Sequence, residues 1–158
     1  MCGGPLPGRT FKAVIPGGSS VPIMTIAEAE AALFDYEGIV AQGSMLGSAG
    51  MIVMDDTTDM VYQIWRLAKF YAHESCAQCT QCREGTAWTT RIFERILSGK
   101  GKQEDFQLLL ELSENMTGKT ICVLSDSCAA PVVSGIQKFR SEFEAYIAGA
   151  REPAMAAV

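Results

Sequence analysis

Histidine is nearly missing from this chain: His73 is the single one among 158 residues. That leaves little room for histidine metal sites or for histidine acid–base catalysis. Positive charge is in deficit, with 13 Lys and Arg against 18 Asp and Glu and a net charge of -5. A general nucleic-acid binder normally carries a basic field, so the charge balance argues against that class. Long apolar runs are absent as well. The longest uncharged stretch, Gly38 to Met54, is broken by four glycines, two serines and Gln42. A membrane span needs about 20 mostly apolar residues. The opening Met1-Cys2-Gly3-Gly4-Pro5 has neither the basic start nor the apolar run of a secretory signal, so the expected location is the cytoplasm. Nor is there a G-x-S-x-G elbow, an H-E-x-x-H pair or a P-loop Gly-Lys-Ser/Thr.

What remains can fold. Apolar residues are 48% and charged residues 20% of the chain, enough for a core. Phe11–Ile15 reads as a strand ended by Pro16-Gly17-Gly18. Val21–Met24 reads as a short extended piece kept at an edge by Pro22. Thr25 is a cap for a short helix from Ile26 to Leu33. Ile39-Val40-Ala41 and Met51–Met54 are further strand candidates. The glycine loop between them, Gly43 to Gly50, invites a phosphate-binding reading. A dinucleotide fingerprint must open a helix, whereas this loop runs into an apolar strand, so a tight strand connection is expected.

After Asp55-Asp56 the period becomes helical. Adjacent carboxylates point apart, so this pair reads as a helix-capping turn. Met60, Ile64, Leu67, Ala68 and Tyr71 share one face, with Thr57, Thr58 or Asp59 as cap. A second helix is expected to start near Gly85-Thr86 and to carry Trp88, Ile92, Phe93 and Ile96. A third carries Phe106, Leu109, Leu110 and Met116. A last one starts at Pro131 and buries Val132, Ile136, Phe139, Phe143 and Ile147. The aromatic and methionine side chains at these spacings are assigned to core.

Cysteine carries the chemistry. The six are Cys2, Cys76, Cys79, Cys82, Cys122 and Cys128. A cytoplasmic setting argues against disulfides. Cys76-Ala77-Gln78-Cys79-Thr80-Gln81-Cys82 is a C-x2-C-x2-C run, able to offer three thiolates to one compact centre. A fourth would come from Cys122 or Cys128. Iron–sulfur cubanes take four Cys thiolates, and this spacing is one of their local forms. Structural zinc, the competing reading, normally shows two separated ligand pairs, and no second pair exists here. Arg83 reads equally as a cation near a charged cluster or as a solvated surface arginine. Glu74 and Glu84 read as solvated or capping, and His73 as a helix-end histidine.

Glu74-Ser75-Cys76-Ala77-Gln78-Cys79-Thr80-Gln81-Cys82-Arg83-Glu84-Gly85 resembles the cluster-binding segment of the NADH-binding flavoprotein (F, 51 kDa-type) subunits of respiratory complex I. Related subunits occur in NAD-linked hydrogenases and formate dehydrogenases. Ala77 and Gln81 stand where that family usually has Gly and Pro. Thr120-Ile121-Cys122 with Asp126 and Pro131 resembles its fourth-ligand region. Lys12–Ser20 and Gly43–Met54 are similar to its SLBB (β-grasp) segment.

The resemblance implies an α+β chain: a partial SLBB β-grasp segment over 1–55, an all-α four-helix iron–sulfur domain over 56–151, and a tail over 152–158. It implies a [4Fe-4S] cluster held by Cys76, Cys79, Cys82 and Cys122, with Cys128 a spare thiol. In the family NADH reduces FMN, and the flavin passes single electrons through this cluster to further iron–sulfur centres towards quinone. The FMN- and NADH-binding domain and the first β-grasp hairpin precede these segments in the family. The chain is therefore expected to be a fragment or split subunit, inactive with NADH alone. Expected partners are other subunits of an NADH dehydrogenase, hydrogenase or formate dehydrogenase complex, including a thioredoxin-like 2Fe-2S subunit. Neither nucleic acid nor direct membrane insertion is expected, and association with the inner membrane would be peripheral. A zinc-stabilised module, or a β-grasp docking module with vestigial cysteines, stands as the alternative.

Overall fold

Strand β1, Phe11–Ile15, is the middle of a three-stranded antiparallel sheet. The structure, a computed structural model, describes residues 3–154; Cys2 and the last four residues of the expected tail lie outside them. On one side β1 pairs with β2, Met24–Thr25, matching Val14 with Met24. On the other it pairs with β3, Ile52–Asp55, matching Ile15 with Ile52, with a bulge between Phe11 and Ala13. Thr25 then starts α1, Ile26–Ala31, through a capping box: its hydroxyl accepts the Glu28 N–H while the Glu28 carboxylate accepts the Thr25 N–H at 2.7 Å.

The expected strand at Ile39-Val40-Ala41 is instead part of a helix, α2, Tyr36–Ala41. Asp35 caps it by accepting the Gly38 N–H at 2.6 Å. Of this helix only Ile39 is buried, packed with Met24 and Leu46, while Val40 stays exposed. That tertiary anchor outweighs the β preference of two branched residues. The glycine loop consequently joins a helix to a strand rather than two strands. Its glycines serve a close backbone approach. A Cβ on Gly47 would stand 2.6 Å from the Gly17 oxygen, and the Gly18 N–H donates to the Gly50 carbonyl at 2.9 Å.

The chain divides into two compact units between Thr58 and Asp59. Among its described residues the second contains helices joined by loops and no strand. Its helices are α3, Met60–Glu74; α4, Thr80–Arg95; α5, Glu104–Met116; α6, Leu124–Lys138; and α7, Arg140–Ile147. Asp59 caps α3, accepting the Tyr62 N–H. A wider turn, Ile96–Lys100, closes α4 at Gly99, whose positive φ of 73° suits glycine. α3 packs on α4 and α6, and α5 packs on α4 and α6. The Phe143 ring stands 5.9 Å from that of Phe93 and 6.0 Å from that of Phe106, deep in the core.

Several helix expectations change. α6 starts seven residues before Pro131, and Phe139 takes a non-helical φ of -121°, so the last expected helix is two segments. A proline inside a helix removes one hydrogen bond and costs about 3 kcal/mol. Burial of Cys128, Val132 and Ile136 offsets that, and Asp126 favours the earlier start by lying in the first turn. Trp88, which its spacing assigns to core, is 49% exposed on α4. Among the described residues no helix is long and apolar enough to cross a membrane.

Candidate iron–sulfur site

α3 ends at Glu74, and Ser75 takes the extended conformation that turns the chain out of the helix. The six residues to Thr80 form a tight bend. Ala77 sits there at φ 64°, left-handed backbone that an L-residue adopts at a cost. Two contacts hold it. Its N–H donates to the Ser75 hydroxyl at 3.3 Å, and its carbonyl accepts from Arg83 Nη1 at 2.8 Å. The Arg83 Nε is paired in turn with Glu84 at 2.9 Å.

α4 begins at Thr80, five residues before the expected start. Cys79 is its N-cap residue, and the Cys79 carbonyl accepts the Arg83 N–H at 2.9 Å. Gly85, expected at a helix beginning, is an interior position, where a Cβ would stand 2.6 Å from Met116 Cγ. Close packing of α4 on α5 therefore explains the glycine. Starting early places Cys79 and Cys82 around the first turn, whose free N–H groups and positive dipole end favour negative charge.

The cysteines lie at different depths. Cys76 and Cys122 are exposed, Cys79 is half-buried, and Cys82 and Cys128 are buried. The Cys82 sulfur lies 3.4 Å from the Ser75 hydroxyl, and the Thr86 hydroxyl bonds the Cys82 carbonyl at 2.7 Å. Between α5 and α6 runs the Cys122 loop. It is folded on itself by Thr120, whose hydroxyl donates to the Cys122 carbonyl at 2.7 Å and lies 2.6 Å from the Ser125 hydroxyl. The Gly118 N–H donates to Asp126 at 2.9 Å and fixes the loop on α6. The two loops meet where the Ile121 N–H donates to the Cys79 sulfur at 3.4 Å.

So the triplet bend and the residue preceding Cys122 are brought together. Among the described residues, no three Cys, His, Asp or Glu side chains stand as a ready-made metal cage. Their chemistry still fits an iron–sulfur group. The donors are thiols, which prefer iron–sulfur, zinc or Cu(I) to hard cations, and two of the sulfurs already have N–H or O–H neighbours. Cys128 is different. Burial, with the nearby Cys82 sulfur, pushes its thiol up to about 12. His73 lies exposed in the last turn of α3, and Glu74 ends that helix in solvent.

Three features of the site have no plain signature in the sequence: the Ser75 hydroxyl beside Cys82, the Ile121 amide, and the left-handed backbone at Ala77. Only the last leaves a trace, since Ala77 stands where the resembling family has glycine.

Residues 62–146 match the iron–sulfur binding region of NADH-ubiquinone oxidoreductase F. The F subunit of NADH-quinone oxidoreductase in Rickettsia bellii (strain OSU 85-389) is 48% identical over 137 residues, covering 87% of this chain and 33% of that protein. The F 1 subunit of the Rhizobium meliloti (strain 1021) enzyme is 46% identical, covering 90% of this chain and 33% of that protein. The corresponding protein of Mycobacterium bovis (strain ATCC BAA-935 / AF2122/97) is 45% identical, covering 93% and 33%. An NAD+-reducing [NiFe]-hydrogenase crystallised in the H2-reduced state is similar in structure, with a TM-score of 0.78 and 30% identity. That match covers 87% of this chain and 23% of the hydrogenase chain. This chain thus spans about a third of the length of the curated relatives it matches. Its sheet-plus-helices architecture is α+β, its matched residues include the cysteine triplet and Cys122, and the chain belongs to the NADH-ubiquinone oxidoreductase-F iron–sulfur binding family.

Proposed function

We propose that this chain is the electron-transfer module of an NADH:quinone oxidoreductase. It holds a [4Fe-4S] cluster on Cys76, Cys79, Cys82 and Cys122, in the helical region 56–151 that follows an SLBB segment over 1–55. The observation that carries this is the Ile121 N–H on the Cys79 sulfur. It supports bringing the thiol next in the chain, Cys122, to the bend that bears the other three. Cys76 and Cys122 are exposed, and exposed rotamers turn within nanoseconds, so closing the set needs no rebuilding of the core. Cys128 is buried on α6, whereas Cys122 lies on the loop that meets the triplet bend, which supports leaving Cys128 out.

When bound, the cluster supplies one-electron exchange, which no side chain of the site provides. The residues do the rest. Cys79 and Cys82 sit at the α4 start, where amides and the helix dipole favour an anionic group. Arg83 holds the bend closed and adds a cation beside it. The donor of electrons would be FMNH2, reduced by NADH in the flavin domain of a complete F subunit, and the acceptors further iron–sulfur centres in partner subunits, including a thioredoxin-like 2Fe-2S subunit. Such an assembly would be cytoplasmic and peripheral to the membrane.

Anaerobic reconstitution tests the reading. Iron and acid-labile sulfide should reach about four each per chain, with a broad visible absorption that bleaches on reduction and an EPR signal in the reduced state. Cys122→Ser should lose most of the iron, whereas Cys128→Ser should keep it. One zinc per chain without sulfide, or equal loss in both variants, would refute the assignment.

A further inference from the structure

We propose that Ser75 is a positioning residue for the cluster: its hydroxyl donates a hydrogen bond to the Cys82 sulfur and thereby raises the reduction potential. This rests on the [4Fe-4S] reading above. The Ser75 oxygen lies 3.4 Å from the Cys82 sulfur and 3.3 Å from the Ala77 nitrogen. The Ala77 amide can only donate, so it uses a lone pair of the Ser75 oxygen and leaves the hydroxyl proton free. A thiolate bound to iron has no proton, so it can only accept. Those two facts fix the direction of the Ser75–Cys82 bond once the site is loaded.

Location strengthens the case. Cys82 is buried and its carbonyl is held by Thr86, so the sulfur has a defined place. Ser75 is half-buried at the end of α3, where the chain leaves the helix in a fixed conformation. The pair is therefore held from two different helices. Reduction adds one electron to the cluster, drawn in a titration from dithionite, and increases the negative charge on the ligand sulfurs. A hydrogen bond to a sulfur stabilises that form more than the oxidised one, so the potential rises. The Ser75 proton stays on its oxygen throughout.

Potentiometric EPR titration of the reconstituted full chain, with iron and sulfide content measured on each sample, tests this. Ser75→Ala should keep its iron and sulfide and shift its midpoint to more negative potential. Ser75→Thr, which retains the hydroxyl, should return to the wild-type midpoint. A Ser75→Ala midpoint equal to wild type would overturn the inference and leave the cluster reading intact. Should Ser75→Ala hold no cluster, Ser75→Thr decides: full loading at the wild-type midpoint upholds the hydroxyl's role, and failure to load overturns it. Absence of iron and sulfide from the wild-type protein would overturn both readings.

Discussion

Arg83 reaches back six residues and donates from Nη1 to the carbonyl of Ala77 at 2.8 Å. The residue it grips is one of two described non-glycine residues with positive φ, so the arginine holds the bend where the backbone is least favourable. Changing either residue has a defined consequence.

Ala77→Gly should stabilise the bend. Left-handed backbone costs an L-residue about 1–2 kcal/mol; glycine escapes that cost but adds unfolded-state entropy, which offsets part of the gain. We expect a net gain of about 0.5–1 kcal/mol in urea unfolding of the cluster-free chain. Arg83→Gln should leave that stability nearly unchanged, because exposed pairs contribute about 0–1 kcal/mol, but should hasten loss of iron to a chelator several-fold. Equal chelation rates for Arg83→Gln and wild type would refute the clamp.

Thiol accessibility should follow the depths of the cysteines. Brief iodoacetamide treatment of the cluster-free chain at neutral pH should label Cys76 and Cys122, which are exposed, and spare Cys128. Peptide mass spectrometry checks this, and labelling of Cys128 at the Cys76 rate would contradict its burial.

Alkaline pH should destabilise the fold partly through Cys128. Burial raises this thiol from an ordinary value near 9.0 to about 12. A raised folded-state value means that its contribution is complete below pH 9 and lost as pH rises towards 12. In that window the unfolded chain releases the proton and the folded one keeps it, with a slope of at most about 1.4 kcal/mol per pH unit. Tyr146, raised chiefly by burial and then by Asp59, acts in the same direction at higher pH. Urea midpoints of wild type and Cys128→Ala should therefore converge between pH 9 and pH 11.

Asp105 is 1% exposed and pairs with Arg95, and it also accepts the Lys102 N–H at 2.8 Å. Asp105→Ala leaves that amide and the guanidinium without their acceptor. A loss of about 2–4 kcal/mol is expected by urea unfolding, and a loss below 1 kcal/mol would show the pair to be dispensable.

Gly85→Ala sets two effects against each other. Helix propensity gains about 1 kcal/mol, while the new Cβ overpacks Met116 at about 1–3 kcal/mol. The single variant should be less stable by about 1 kcal/mol, and the same change made on a Met116→Ala background should be neutral or stabilising.

Local patterning accounts for the thiol triplet and for the longer helices. Thiol spacing at Cys76, Cys79 and Cys82 is local, and the periodicity of α3 and α5 is local too, so both can be read without a fold. The capping box at Thr25 and Glu28 likewise lies within four residues. Tertiary structure alone decided what depends on distant neighbours. Ile39 is helical because Met24 and Leu46 receive it, and Gly85 is interior because Met116 crowds it. Trp88 faces outward although its spacing permits a core role, and α6 runs through Pro131 because its burial against other helices offsets a missing hydrogen bond. The same holds at the site, where residues 79 and 121 come within hydrogen-bonding distance and Ser75 meets Cys82. Contacts of that kind follow from how helices pack, and helix packing is set by whole surfaces rather than by the few residues that form a motif.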